Sequence, residues 1–124
     1  MQKVTVAVVG WGNVGRGAAE AVMLSPDFEL CAVVRRNAQP GQVVHVNGAD
    51  IPAVRSIADA DGAVAALVCL PTRLTTAAEV EMLKAGISTV DSFDIHGDAL
   101  LEHRRMLGDA ARRGGAVAVV AAGW

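Results

Sequence analysis

Aromatic residues are scarce: two tryptophans, two phenylalanines and no tyrosine make up 3% of the 124 residues. An interior so short of rings has to be filled by Val, Ala, Leu and Ile, which suits a parallel sheet covered by helices. Cysteine is nearly as rare. Cys31 and Cys69 fall in apolar, strand-like runs where an unpaired thiol acts as a small hydrophobe, and two cysteines make no disulfide framework. No Cys/His cluster has the spacing of a zinc site, so no metal is expected. Charge of one sign is never concentrated: 11 basic and 13 acidic side chains are intermixed for a net charge of −2, which excludes a nucleic-acid tract and an anionic membrane surface as partners. Apolar runs never approach the length of a membrane span. The N-terminus opens directly into a strand-like run, so a soluble, cytoplasmic protein is expected.

The most informative stretch is Val4-Thr-Val-Ala-Val-Val-Gly10-Trp-Gly12-Asn-Val-Gly15-Arg16, an apolar strand running through G-x-G-x-x-G into helix-forming sequence. Gly10 permits the tight turn, Gly12 lets backbone approach a pyrophosphate, and Gly15 lets the helix pack closely on the strand. Unpaired N–H groups at the start of that helix then face the phosphates. The second strand, Phe28 to Val34, ends at Arg35-Arg36. An NAD-preferring site would carry Asp or Glu there for the ribose hydroxyls. A guanidinium pair instead suits the 2′-phosphate, and NADP is predicted as the cofactor.

Downstream, Arg16 to Leu24 reads as the phosphate-facing helix, stopped at Ser25-Pro26-Asp27. Asn37 to Gly48 is predicted to be a mobile excursion with one Val43-Val44 patch, and Val54 to Ile57 a short third strand. Ala63 to Leu70 is an unbroken apolar strand stopped by Pro71, and Thr75 or Thr76 is expected to cap a helix over Ala77 to Ala85, with Glu79 near the capping-box position and Gly86 at its exit. Ile87 to Val90 forms the next strand. A helix over Ala99 to Arg113, opened by Asp98, should bury Leu100, Leu101, Met106, Leu107 and Ala110, leaving His103, Arg104 and Arg105 on a solvated face. Ala116 to Ala122 closes the order β-α-β-(β)-β-α-β-α-β. That alternation predicts an α/β, Rossmann-type, doubly wound parallel sheet with helices on both faces, forming one domain over residues 1–124, with ligand loops at the carboxyl ends of its strands.

Those loops carry Trp11 to Val14, Arg35-Arg36, Leu70-Pro71-Thr72, Ser92-Phe93-Asp94 and Gly123-Trp124. Between a strand and a helix, Asp91-Ser-Phe-Asp94-Ile-His96-Gly-Asp98 holds three carboxylates and an imidazole, chemistry suited to a substrate ammonium group. Asp98 also suits an N-cap, Asp91 a strand-end cap, and His96 a structural loop position.

These residues resemble the meso-diaminopimelate D-dehydrogenases, NADP-dependent enzymes of bacterial lysine and cell-wall metabolism. The resemblance spans the chain and rests on Val8-Val-Gly-Trp-Gly-Asn-Val-Gly-Arg16, Arg35-Arg36, Val90-Asp-Ser-Phe-Asp-Ile-His96 and Ala122-Gly-Trp124. It implies that Gly10, Trp11, Gly12, Asn13, Val14 and Gly15 hold the pyrophosphate and that Arg35 and Arg36 hold the 2′-phosphate. Cys69, Leu70, Pro71 and Thr72, with Ser92 and Phe93, complete the cofactor site. Asp94, Asp98 and Trp124 match substrate-facing positions. The implied reaction is oxidative deamination, in which hydride leaves the D-centre carbon for nicotinamide C4 and ammonia departs after water adds. In that family a substrate and dimerisation domain follows the matching tryptophan. A following segment or second chain is therefore expected to supply it, and the complete enzyme is expected to be a homodimer or higher homo-oligomer acting on a small amino acid. Other expectations compatible with the same half are a dihydrodipicolinate-reductase-like or sugar-oxidoreductase-like enzyme and a non-catalytic NADP-sensing module.

Overall fold

The computed structural model describes residues 2–121. β1 (Val4–Val9) alternates its side chains between two layers. Val6 and Val8 pack with Ala19 and Val22 of α1 (Asn13–Leu24), whereas Ala7 and Val9 face the layer containing Met82. A strand buried on both faces needs apolar residues at every position, which is why it reads as a continuous run. Each Val or Leu so enclosed contributes about 1.5–3 kcal/mol of burial free energy.

β2 (Phe28–Val34), β3 (Val43–Val46), β4 (Ala49–Val54), β5 (Ala65–Val68), β6 (Ser88–Asp91) and β7 (Ala118–Val119) complete the sheet, in the spatial order β3-β4-β2-β1-β5-β6-β7. All neighbouring pairs are parallel except β3 with β4. α2 (Thr72–Lys84) and α3 (Asp98–Gly114) meet through Leu83, Leu107, Ala110 and Ala111. The expected doubly wound, Rossmann-type sheet is therefore present. Its order reverses between β2 and β5, on either side of β1, where ligand crevices form in such sheets. Among the described residues no helix is long and apolar enough to cross a membrane.

Several local expectations are corrected. The segment Asn37 to Gly48, expected to be a mobile excursion with a Val43-Val44 patch, contains β3, paired antiparallel with β4 through Val44↔Ile51 and His45↔Asp50. Asn47-Gly48 makes the turn, with φ of 46° and 84°. Two positive φ angles are what a two-residue type I′ hairpin requires. The strand placed at Val54 to Ile57 instead ends at Val54, and a single 3-10 turn (Ile57–Asp59) occupies the crossover to β5. α2 starts at Thr72 behind Pro71, not at a Thr75 or Thr76 cap. The Thr75 hydroxyl instead donates back to the Pro71 carbonyl at 3.3 Å, inside the helix. Glu79 is no capping residue; it is wholly buried.

α3 begins at Asp98, but its N-cap is Gly97 and no side chain caps the end, so the capping role expected of Asp98 is not found. The face α3 buries also differs from expectation. Leu101 is 63% exposed and Met106 38%, while His103 lies in the interior at 2%. The last strand is limited to two residues rather than Ala116 to Ala122, as far as the described residues run.

Candidate functional site

At the carboxyl end of β1 the chain turns at Gly10, whose φ of +103° suits glycine, and a Cβ there would lie 2.5 Å from the Cys69 carbonyl oxygen. The turn is thus pressed against the exit of β5. Gly12 is the N-cap of α1, with no side-chain cap and no acidic residue in the first turn. The opening N–H groups of that helix are left for an anion. A Cβ on Gly12 would meet nothing within 4 Å, so the space in front of it is open. Gly15 sits beneath, buried against the turn.

In front of the turn lies a cavity of about 870 Å³, within the size range of small-molecule and cofactor pockets. It is bordered by Gly10, Trp11, Gly12, Asn13 and Val14, by Arg35 and Arg36 at the end of β2, and by Cys69, Leu70 and Pro71 after β5. The sequence motifs on three separate strand ends therefore meet in one crevice. The Arg16 guanidinium stacks 5.1 Å from the centre of the Trp11 ring, fixing the indole at the mouth. Burial pushes the Cys69 thiol above its usual value, so it lines the crevice as a neutral group, not as a thiolate.

Sequence reasoning missed part of the lining. Arg55, just beyond β4, borders the cavity beside the arginine pair and is steadied by an Nε donation to the Ala38 carbonyl at 2.7 Å. A basic residue directly after an apolar strand was the available signal. From α2, Leu74, Ala78, Glu81 and Met82 add a wall, and Arg73 joins from its first turn.

Thr72, Ser92 and Phe93 do not border this cavity. Thr72 instead donates its hydroxyl proton to Asp94, which stands exposed on the β6–α3 loop. Asp98 and His96 are exposed on the same loop and helix start. Phe93 turns inward at 6% exposure and stacks flat on His103, ring centres 4.0 Å apart. Trp124 lies outside the described residues.

Under this rim is a buried polar cluster the sequence did not reveal. Asp91 Oδ2 accepts from His103 Nε2 at 2.8 Å, and His103 Nδ1 pairs with Thr76 Oγ1 at 2.7 Å. Because an ionised carboxylate can only accept, the imidazole proton sits on Nε2. Asp91 Oδ1 accepts the backbone N–H groups of Phe93 and Ala121, so Asp91 does more than cap its own strand. Burial pushes the neighbouring Glu79 carboxyl up to about 9. Burial also acts to raise Asp91, but the adjacent Glu79 carboxyl and the hydrogen bonds from Ala121, Phe93 and His103 outweigh it and hold Asp91 below its ordinary value. Thr76, His103 and Asp91 follow the donor order of a hydrolytic triad, yet Thr76 borders neither this cavity nor a smaller one of about 470 Å³ between α3 and β7.

Residues 4–91 match the model of an oxidoreductase family with an NAD-binding Rossmann fold. The chain is 43% identical over its whole length to a meso-diaminopimelate D-dehydrogenase of Bacteroides fragilis, of which it spans 40%. Among solved structures, diaminopimelate dehydrogenase of Corynebacterium glutamicum in complex with diaminopimelate superposes with a TM-score of 0.83 at 27% identity, covering all of this chain and 37% of that one. An engineered D-amino acid dehydrogenase bound to NADP+ superposes at 0.80 with 27% identity, covering 99% of this chain and 37% of the other. The chain thus spans well under half the length of the relatives it matches.

Proposed function

The chain belongs to the oxidoreductase family with an NAD-binding Rossmann fold, and on that premise we propose that it is the NADP-binding portion of a meso-diaminopimelate D-dehydrogenase. Its role is then in oxidative deamination of the D-centre of meso-2,6-diaminopimelate, in the cytoplasm, for lysine biosynthesis. The observation that carries this reading is the meeting of the Gly10–Gly15 turn with Arg35, Arg36 and Arg55 around one crevice. Identity of 43% to a dehydrogenase of that name supports it.

The residues suit such a cofactor. Uncapped N–H groups at the head of α1 hold the pyrophosphate, and the open space at Gly12 lets it approach the backbone. Arg35 and Arg36 supply planar donor forks to a 2′-phosphate, which an acid in their place would repel. Arg55 adds a third positive charge there. Cys69, Leu70 and Pro71 border the nicotinamide end, while Thr72, Ser92 and Phe93 stand outside the crevice and take no part in it. Bound in this crevice, the nicotinamide would supply the hydride acceptor.

Asp94 fixes the substrate ammonium by a charge-assisted hydrogen bond, and the Thr72 hydroxyl holds its carboxylate at the rim. Asp98 and Trp124 are the further substrate contacts assigned to the D-centre in this reading. Carboxylates so placed orient one stereocentre toward the acceptor, which is where a protein contributes to cofactor-borne chemistry. The grip on the distal amino acid centre, and assembly into a homodimer or larger oligomer, come from a further segment or a second chain.

Titration calorimetry with NADP and NAD tests the cofactor half of this reading. Tighter binding of NADP is expected, and replacing both Arg35 and Arg36 with Ala should remove about 2 kcal/mol, roughly thirtyfold, of that preference. Equal affinities in the unmodified chain contradict it. Reduction of NADP by meso-diaminopimelate, assayed with the chain joined to the segment its relatives carry, tests the substrate half.

A further inference from the structure

Neither cofactor nor substrate, as assigned above, reaches Glu79, Asp91 and His103, although all three are buried to 2% exposure or less. Titratable groups are costly to bury unless something pairs them. One ligand-type atom of each lies within 4.8 Å of the others, which raises the possibility of a metal. A cation does not fit between them. His103 Nε2 and Asp91 Oδ2 stand 2.8 Å apart, a hydrogen-bond distance, while neighbouring ligands on a tetrahedral zinc stand roughly 3.3 Å apart. Nδ1 is already engaged by Thr76. Protons, not a metal, hold the group together.

The purpose of the cluster is legible in the atoms it grips. One oxygen of Asp91 takes the N–H of Phe93 at 2.9 Å and that of Ala121 at 2.8 Å, joining the start of the β6–α3 loop to the segment after β7. The other oxygen takes His103 of α3, whose ring is the platform for Phe93. Thr76 of α2 closes the chain of bonds on the far side. Asp94 is the next residue after Phe93, and Thr72, at the start of α2, donates to it. Two packed helices, a strand and a loop thus converge on one carboxylate.

We propose that Glu79, Asp91 and His103 form a positioning latch that fixes the β6–α3 loop, and with it the Asp94 carboxylate, beside Thr72 at the head of α2. The part given to Asp94 rests on the function proposed above; the latch itself does not. Glu79 sets the condition under which it holds. Its carboxyl, raised to about 9 chiefly by burial, is protonated at neutral pH and lies against the pair, 3.6 Å from His103 Nε2 and within 4.8 Å of an Asp91 oxygen. The titratable groups facing it among the described residues are Asp91 from β6 and His103 from α3; Thr76 of α2 and Thr89 of β6 are uncharged. Losing the Glu79 proton sets two carboxylates side by side in a dry site, and the grip of Asp91 on the loop amides is what yields.

Nuclear magnetic resonance of the chain reads this directly. The amide signals of Phe93, Asp94 and Ala121 should titrate together with the Glu79 side-chain carbon, with a midpoint near 9. In Glu79→Gln, whose side chain stays neutral at every pH, the same signals should stay flat. Asp91→Asn should speed exchange of the Phe93 and Ala121 amides by about tenfold or more at neutral pH. If that variant does not fold, the Glu79→Gln titration decides alone. A transition that persists in Glu79→Gln, or folded Asp91→Asn with exchange within about twofold of the parent, overturns the latch. NADP titrated into the same samples separates the two ideas: a parent chain that titrates at Glu79 but binds no NADP keeps the latch and loses the function, and the reverse result does the opposite.

Discussion

Gly15→Ala is expected to weaken NADP binding by about a hundredfold or more and to lower stability by about 2–4 kcal/mol. A Cβ on Gly15 would run into the Gly10 carbonyl oxygen and come within 2.9 Å of its carbon, with Val8 Cγ1 at 3.6 Å behind it. The obstruction is backbone, so no rotamer change relieves it. Either the turn opens or α1 lifts away from β1. Both movements misdirect the helix-opening N–H groups to which we assign the pyrophosphate. Gly12→Ala is the matched control, because its Cβ meets nothing within 4 Å and the free fold should tolerate it. Its methyl would fill the space through which a pyrophosphate approaches, so affinity should fall about tenfold while thermal stability holds. Thermal unfolding and calorimetry on the two variants separate packing from binding. Gly15→Ala that binds NADP within about threefold of the parent would mean that this turn does not seat the cofactor.

What the sequence disclosed and what it hid differ in the range of the interactions involved. The β1 turn and α1 were legible because every constraint on them lies within Val4 to Leu24: a two-sided apolar strand, glycines at the turn, then helix formers. Arg35 and Arg36 were legible for the same local reason, since they follow directly on β2. The β3–β4 hairpin was hidden although Asn47-Gly48 is a strong local turn signal. Asp50 and Pro52 break the apolar run of β4, and β3 is only four residues long, so neither strand stood out from the polar residues around it. Arg55 was lost along with them.

His103 was misjudged because it was weighed with its charged neighbours Arg104 and Arg105. Its helical spacing pointed the other way, since it falls between Leu100 and Leu107 on the stripe that buries Leu107, Ala110 and Ala111. The side chain is interior only because Asp91 and Thr76, distant in sequence, supply partners for both ring nitrogens. No local pattern carries that information. The rim residue Phe93 shows the same limit: placed among cofactor contacts by its strand-end position, it is drawn under the loop by the imidazole it stacks on.

Glu79→Gln is expected to abolish a steep loss of stability between about pH 5 and pH 9. In the folded protein the Glu79 carboxyl is raised from 4.5 to about 9, chiefly by burial. Between those values the native state holds a proton that the unfolded chain has released, so stability falls as pH rises, by roughly 1.4 kcal/mol per unit. At neutral pH the parent should already have lost about 3 kcal/mol relative to its value below pH 4.5. The decline should end where Glu79 ionises in the native state. Asp91 has the opposite sign: its depressed carboxyl adds stability above its unfolded value of 3.8 and loses it only as pH falls through the folded one. The two buried acids therefore limit the domain from opposite sides, Asp91 in acid and Glu79 in base. Gln retains the shape of the neutral carboxyl and cannot ionise, so the variant should show a flat profile above pH 5 where the parent slopes. Urea unfolding across this range measures both curves. Parallel slopes would mean that Glu79 is ionised in the native interior and that burial does not hold its proton.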